Sequence, residues 1–140
     1  MNNNRGSYVL LLYLEEKTEI DTGAKVWSFE PGYYVYVGSA MNSLTERVRR
    51  HMVSEKKMHW HIDYLREKAR IAAALLIPSE TRLEEEISVL ASDFGEAVKG
   101  FGSSDCKTDS NLYGIEEHQI GRLFGLITDK WRDKDDSFFE

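Results

Sequence analysis

Residues 32–40 read GYYVYVGSA, three tyrosines in one short run that stops at Gly-Ser-Ala. A strand that only filled a core would alternate apolar with polar residues, or stay apolar throughout if both its faces were covered. This run does neither, so its tyrosines point to a second task. Side chains of a strand alternate between faces, which sets Tyr34 and Tyr36 on one side of the sheet and Tyr33, Val35 and Val37 on the other. Gly38 ends the run where the backbone must turn or something must approach it closely.

Upstream, Ser7 to Leu14 reads as a strand, followed by a short one in EEKTEID, a turn at TGAK, a short strand VWSF and a turn at EPG. The result is an antiparallel meander, and pairing of the first strand with the tyrosine run around the inserted hairpin brings Tyr8 beside Tyr36. Downstream, Asn42 or Ser43 caps a helix on which Leu44, Val48 and Met52 recur, with Arg47, Arg49, Arg50 and His51 on its other faces. HWHIDYLREKA is a short helix, and RIAAALLIP a buried strand closed by Pro78 and a capping Ser79. TRLEEEISVLASDF is a helix with Leu83, Ile87, Leu90 and Phe94 inward; SNLYGI is a last edge strand and EEHQIGRLFGLITDKW a last helix. The expectation is an α+β fold, a small and mostly antiparallel sheet with an added hairpin, flanked by helices. Residues 1–131 are read as one domain and 132–140, RDKDDSFFE, as a loose charged tail.

The chain has 140 residues, 41% hydrophobic and 30% charged, and no apolar run approaches the roughly 20 residues of a membrane span. Its single cysteine, Cys106, excludes an intramolecular disulfide and fits a reducing cytoplasm. The net charge of −6 argues against DNA binding by the surface at large, because that affinity comes from Lys and Arg meeting phosphates. The charge is uneven, at −2 over residues 1–40, +4 over 41–70 and −8 over 71–140. The middle segment keeps a nucleic-acid partner open, against the plainer alternative of a solvated basic helix face.

Two converging phenols, Tyr8 and Tyr36, either serve a site or simply fit a half-buried sheet. In KKMHWHID, His59 and His61 followed by Asp63 invite a zinc reading, but residues two apart on a helix do not face one another and no third ligand follows at a zinc spacing. The better reading is that His59 or His61 binds phosphate or orients a catalytic group, with Trp60 on the core or a nucleotide and Asp63 fixing a histidine tautomer. A structural role for the stretch competes with it. GFGSSDC is a loop of turn-forming residues, with Cys106 read as buried and inert.

The order of motifs adds to this. GSY at 6–8, YVG at 36–38, SAMNSLTER leading to Arg47, His51 one helical turn on, and Glu86 followed by Val89 and Leu90 resemble the GIY-YIG nuclease family, which includes phage homing endonucleases and the incision nuclease of bacterial excision repair. PGYYVYVGSA, RVRRH, HWHIDYL and GFGSSDC, which together span most of the chain, resemble one branch more closely, the domain of unknown function 123. The resemblance implies a metal-dependent endonuclease that hydrolyses phosphodiester bonds in DNA, in preference to RNA, in a DNA-repair setting where a repair protein supplies targeting. It implies one Mg2+ or Mn2+ held by Glu86, with Glu85 the alternative one residue away; a single carboxylate and water suit Mg2+. Glu84 and Glu85 otherwise read as a solvated face.

By the same resemblance, Arg47 grips the scissile phosphate, which a planar guanidinium does with two charge-assisted bonds. Tyr8 positions or deprotonates the attacking water with Tyr36 beside it, and His51 is the other candidate base, better matched to neutral pH. Gly38 lets the phosphate backbone come close, and Ser39, Arg50, His59 and His61 complete the implied substrate contacts. The chain departs from the family pattern in the 28-residue separation of Tyr8 and Tyr36, read as the added hairpin, and in Ser7 where an apolar residue is usual. It also carries Thr108 and Asn111 where the branch often has Cys and His. An inactive domain of the same fold that binds nucleic acid or a partner protein is the alternative function.

Overall fold

The computed structural model describes residues 4–52, 61–101 and 110–131. His59, Trp60, Cys106, Thr108 and the charged segment 132–140 lie outside the described residues. In chain order the elements are β1 (Gly6–Leu14), β2 (Thr18–Asp21), β3 (Val26–Phe29), β4 (Gly32–Ala40), α1 (Leu44–Met52), α2 (His61–Lys68), β5 (Arg70–Pro78), α3 (Glu84–Ser92), β6 (Gly95–Ala97), β7 (Leu112–Ile115) and α4 (Glu117–Trp131). The fold is α+β, as the alternation of strand and helix patterns leads one to expect.

β1 and β4 pair antiparallel along their whole length, with Tyr8 opposite Gly38 and Leu10 opposite Tyr36. β5 takes the other edge of β1. With both edges of β1 occupied, β2 and β3 have no place in this sheet; they pair only with each other, so the expected four-strand meander is a hairpin set apart from a five-stranded sheet of order β5-β1-β4-β7-β6. β7 is consequently an interior strand, not the expected edge, because the three residues of β6 lie outside it. β5, expected to be buried, is an edge strand with Leu76 39% exposed. A continuous apolar run reads as buried on both faces, yet it says nothing about whether the strand has two neighbours.

Period-two alternation gives each face of the sheet its own core. Tyr8, Leu10, Leu12, Tyr34 and Tyr36 look to one side, where Ile20, Trp27 and Phe29 of the hairpin, Leu44 and Val48 of α1, and Ile62 and Leu65 of α2 cover them. Val9, Leu11, Val35 and Val37 look to the other side, under Ile87 and Ala91 of α3 and Leu123 and Ile127 of α4. Among the described residues no helix is long and apolar enough to cross a membrane.

The helix ends are fixed by distant residues. Neither Asn42 nor Ser43 supplies the side-chain cap of α1; Asn4 does, its Oδ1 accepting from the Thr45 N–H at 2.8 Å and its Nδ2 donating to the Glu46 carboxylate. At the other end the Arg66 guanidinium donates to the carbonyls of His51 (2.6 Å) and Met52 (3.1 Å), which leaves a cation against the negative end of α1. α1 is therefore held at both ends, and the side chains it carries are held with it.

Candidate active site

The strand pairing explains how Tyr8 and Tyr36 meet. Tyr8 faces Gly38, two residues along β4 from Tyr36, so the phenols are diagonal neighbours on one face, with ring centroids 6.4 Å apart. Gly38 is bare because the Tyr8 ring lies over it: a Cβ there would overlap the Cζ and Oη of Tyr8. This corrects the expectation that Gly38 makes room for a phosphate backbone. The space belongs to the phenol, and Gly38 itself is buried.

α1 lies over this pair. Its inward positions are Leu44, Val48 and His51, spaced as one face of a helix, whereas Met52, the expected third apolar contact, is 47% exposed. His51 thus comes to rest fully buried, its Nε2 2.9 Å from the Tyr8 hydroxyl and its ring 6.2 Å from that of Tyr36. Arg47, one turn earlier on α1, hydrogen-bonds the same Tyr8 hydroxyl and reaches the Ser39 carbonyl at 3.2 Å. A guanidinium can only donate, so the Tyr8 oxygen accepts from Arg47; toward Nε2 of His51 the hydroxyl donates or accepts according to the tautomer of the imidazole. The result is a chain of contacts from Arg47 through Tyr8 to His51.

Burial controls the charge of the phenols. Desolvation pushes Tyr8 up to about 12, against a smaller lowering by Arg47. Tyr36 is raised further, by desolvation and then by Tyr8, Glu84 and Asp63. Both are neutral hydroxyls near neutrality, so neither is a standing phenolate base.

The second half of the site comes from the opposite face. β7 begins at Leu112 opposite Tyr36, and the Asn111 carbonyl accepts from the Val37 N–H; beyond that, the end of β4 has no strand on that side among the described residues. The Ser39 carbonyl that Arg47 takes lies on this stretch. Through the same opening comes Glu84, the first residue of α3, half-buried, its Oε2 accepting from Asn111 Nδ2 at 2.9 Å and its charge acting on both Tyr8 and Tyr36. Glu86, expected as the metal ligand, is exposed. The reason is helical phase: α3 packs through Ile87, Ser88 and Ala91, and Glu84 lies three, four and seven residues before these, in line with them. Glu86 lies about 200° round the helix from Glu84 and faces away.

Sequence reasoning also missed what holds Glu84. Ser7 is fully buried; its hydroxyl lies 2.8 Å from that of Ser39 and accepts from the Leu83 N–H at 3.1 Å, pinning the start of α3 to β1 and β4. Ser39 is accordingly a structural hydroxyl, not a surface one for substrate. The signal was present in Ser7, a polar residue in an apolar strand, and in Asn111, polar just before Leu112-Tyr113. Asn111 is 3% exposed, and its Oδ1 has no hydrogen-bond partner among the described residues.

Arg50 and His61 are seen with other partners. Arg50 forms a two-pronged pair with Asp63, at 2.9 and 3.0 Å, and Asp63 is fully buried. That pair ties α1 to α2. His61 stands in an aromatic group with Trp27, at 5.0 Å, and Phe101, at 5.7 Å.

Among the described residues no group of three or more His, Cys, Asp or Glu could cage an ion. Glu84 with the buried Asn111 Oδ1 offers hard oxygens of the kind Mg2+ accepts while retaining water. A 580 Å3 cavity at the far end of β4, lined by Tyr13, Tyr33, Phe94, Glu96, Glu116 and Glu117, has the wrong charge for phosphate.

The chain matches the family model described as "Domain of unknown function DUF123" over residues 7–130, and it belongs to that family. The comparisons with curated proteins and with solved structures found no match.

Proposed function

We propose that this member of the domain of unknown function 123 family is a metal-dependent endonuclease that hydrolyses phosphodiester bonds in DNA. The observation that carries the reading is the convergence of Arg47, Tyr8 and His51 in one hydrogen-bonded group with the Tyr36 ring packed beside it, and with Glu84 arriving from the opposite face. Arg47 and Glu84 are its partly exposed members and the groups that would meet substrate and metal.

In this reading Arg47 binds the scissile phosphate and offsets the charge that builds on its oxygens. Water attacks phosphorus as it gives a proton to the Tyr8 oxygen, while the Tyr8 proton passes to Nε2 of His51, which in this reading is the unprotonated ring nitrogen. The phosphorus–oxygen bond to the leaving sugar breaks, and a solvent proton completes the leaving hydroxyl. This relay needs no free phenolate, which the raised value of Tyr8 would disfavour. Tyr36 orients the water as a neutral hydroxyl. Glu84, braced by Asn111, would hold Mg2+ or Mn2+, which when bound supplies Lewis-acid polarisation of the phosphate. A DNA-repair protein that brings the chain to its target belongs to the same proposal.

Burial favours a second reading. Tyr8, Tyr36 and His51 are 2%, 8% and 0% exposed, as expected also of a domain that keeps this fold and only binds nucleic acid or a partner. The test is incubation of duplex, flapped, branched and abasic DNA with and without Mg2+ or Mn2+, comparing the native chain with Arg47→Ala. Metal-dependent nicking that Arg47→Ala abolishes supports the nuclease; salt-sensitive binding with no scission supports the second reading.

A further inference from the structure

We propose that the 580 Å3 cavity at the far end of β4 is a docking site for an arginine-bearing segment of a partner protein. The cavity exists because two strands meet there without side chains. Gly95 of β6 lies so close to β7 that a Cβ on it would strike the Gly114 carbonyl, and Gly114 in turn offers Glu96 no side chain across the ladder. Aromatic rings line the space: Tyr13 and Tyr33, with centroids 4.8 Å apart, and Phe94. Three exposed carboxylates complete the lining, Glu96 from β6 and Glu116 and Glu117 from the entry to α4.

Charge, ring chemistry and size choose the occupant. Glu96, Glu116 and Glu117 form no ion pair with any described residue, and no basic side chain is among those lining the cavity. Their summed field repels a phosphate backbone and draws in a cation. The chain's own arginines show which cation suits these rings. Arg70 lies over the Tyr13 ring at 5.2 Å while pairing with Glu15 at 3.7 Å, and Arg122 lies over Phe94 at 5.7 Å. Those two guanidiniums are committed; Tyr33 with the three carboxylates offers the same combination of ring and acid to an arginine from outside. The volume falls within the range of about 300–1,000 Å3 of sites that enclose a whole ligand. One guanidinium fills only part of it, so the residues flanking the arginine are covered as well. Gly32, at the cavity, is six residues along β4 from Gly38 at the Tyr8 ring, or roughly 20 Å. A partner held here leaves the Arg47 end of the sheet open.

The test is an NMR titration of the isotope-labelled full chain, at low salt, with a short amidated peptide carrying a pair of arginines. The expected result is saturable shifts at the amides of Glu96, Gly114 and Glu117 that fade as salt is raised. The same peptide with citrulline for arginine, which keeps the shape and loses the charge, should give none. Glu96→Gln combined with Glu117→Gln should weaken binding about five- to tenfold with an unchanged circular dichroism spectrum. No saturable shift at these amides, shifts that the citrulline peptide reproduces, or binding that the double substitution leaves intact overturns the proposal. Arginine amide alone binding as tightly as the peptide overturns the protein partner. The titration holds no DNA, so its failure and the failure of the nuclease reading are separate results.

Discussion

Gly38→Ala probes the packing on which the whole site is built. The added methyl meets the Tyr8 phenol head-on, and Tyr8 is 2% exposed and tied on its far side to His51 at 2.9 Å. Overpacking a buried position costs about 1–3 kcal/mol. A ring displaced far enough to break its hydrogen bond adds about 1 kcal/mol. The substitution should therefore cost about 2–4 kcal/mol in urea unfolding followed by circular dichroism. Gly38 does not have positive φ, so alanine suits its backbone. Once Tyr8→Ala has removed the ring, at a cost of about 3–5 kcal/mol, the same change at Gly38 should be neutral or stabilise by up to about 1 kcal/mol. The four proteins form a double-mutant cycle with an expected coupling of about 3 kcal/mol. Equal costs for Gly38→Ala in both backgrounds would refute the claim that Gly38 exists for the phenol.

Two further predictions concern charge. Arg50→Ala strips a fully buried carboxylate of its two-pronged partner and should cost about 3–5 kcal/mol, whereas Asp63→Asn leaves a guanidinium that is 24% exposed and able to turn to water, and should cost less; urea midpoints in the reverse order would contradict the pairing. The Tyr8 value of about 12, against an ordinary 10, means the folded state holds that proton more tightly. Its contribution, about 3 kcal/mol, is whole below pH 10 and lost as pH rises to 12, with Tyr36 acting in the same direction; Tyr8→Phe should flatten this part of the stability profile, and an unaltered profile would count against burial as the cause.

The central pairing was legible because the turn signals at TGAK and EPG bring the tyrosine run back antiparallel beside β1. Tyr8 and Tyr36 follow from it directly. Glu84 was not legible: the apolar stripe of Leu83, Ile87, Leu90 and Phe94 leaves Glu84 and Glu86 at similar angles on either side of it. The phase is set instead by Ser88 and Ala91, a polar and a small residue that hydrophobicity does not count as inward. His51 was named as a candidate base, but its inward position was hidden, since an apolar Met52 looks the better core residue until Asn4 and Arg66 fix how α1 lies. The Arg50–Asp63 pair joins two helices, and charge alone did not say that Arg50 faces a carboxylate. β5 misled because composition reports how apolar a strand is, not how many neighbours it has.

The most direct measurement is scission of duplex DNA in Mg2+ or Mn2+ by the native chain, Glu84→Gln and Glu86→Gln. Glu84→Gln keeps the shape of the side chain and an acceptor for Asn111 but removes the charge at the opening beside β4, and it should abolish cutting. Glu86→Gln, on the exposed side of α3, should cut as the native chain does. Loss of cutting in Glu86→Gln with cutting retained in Glu84→Gln, or no scission by any of the three, would contradict the account.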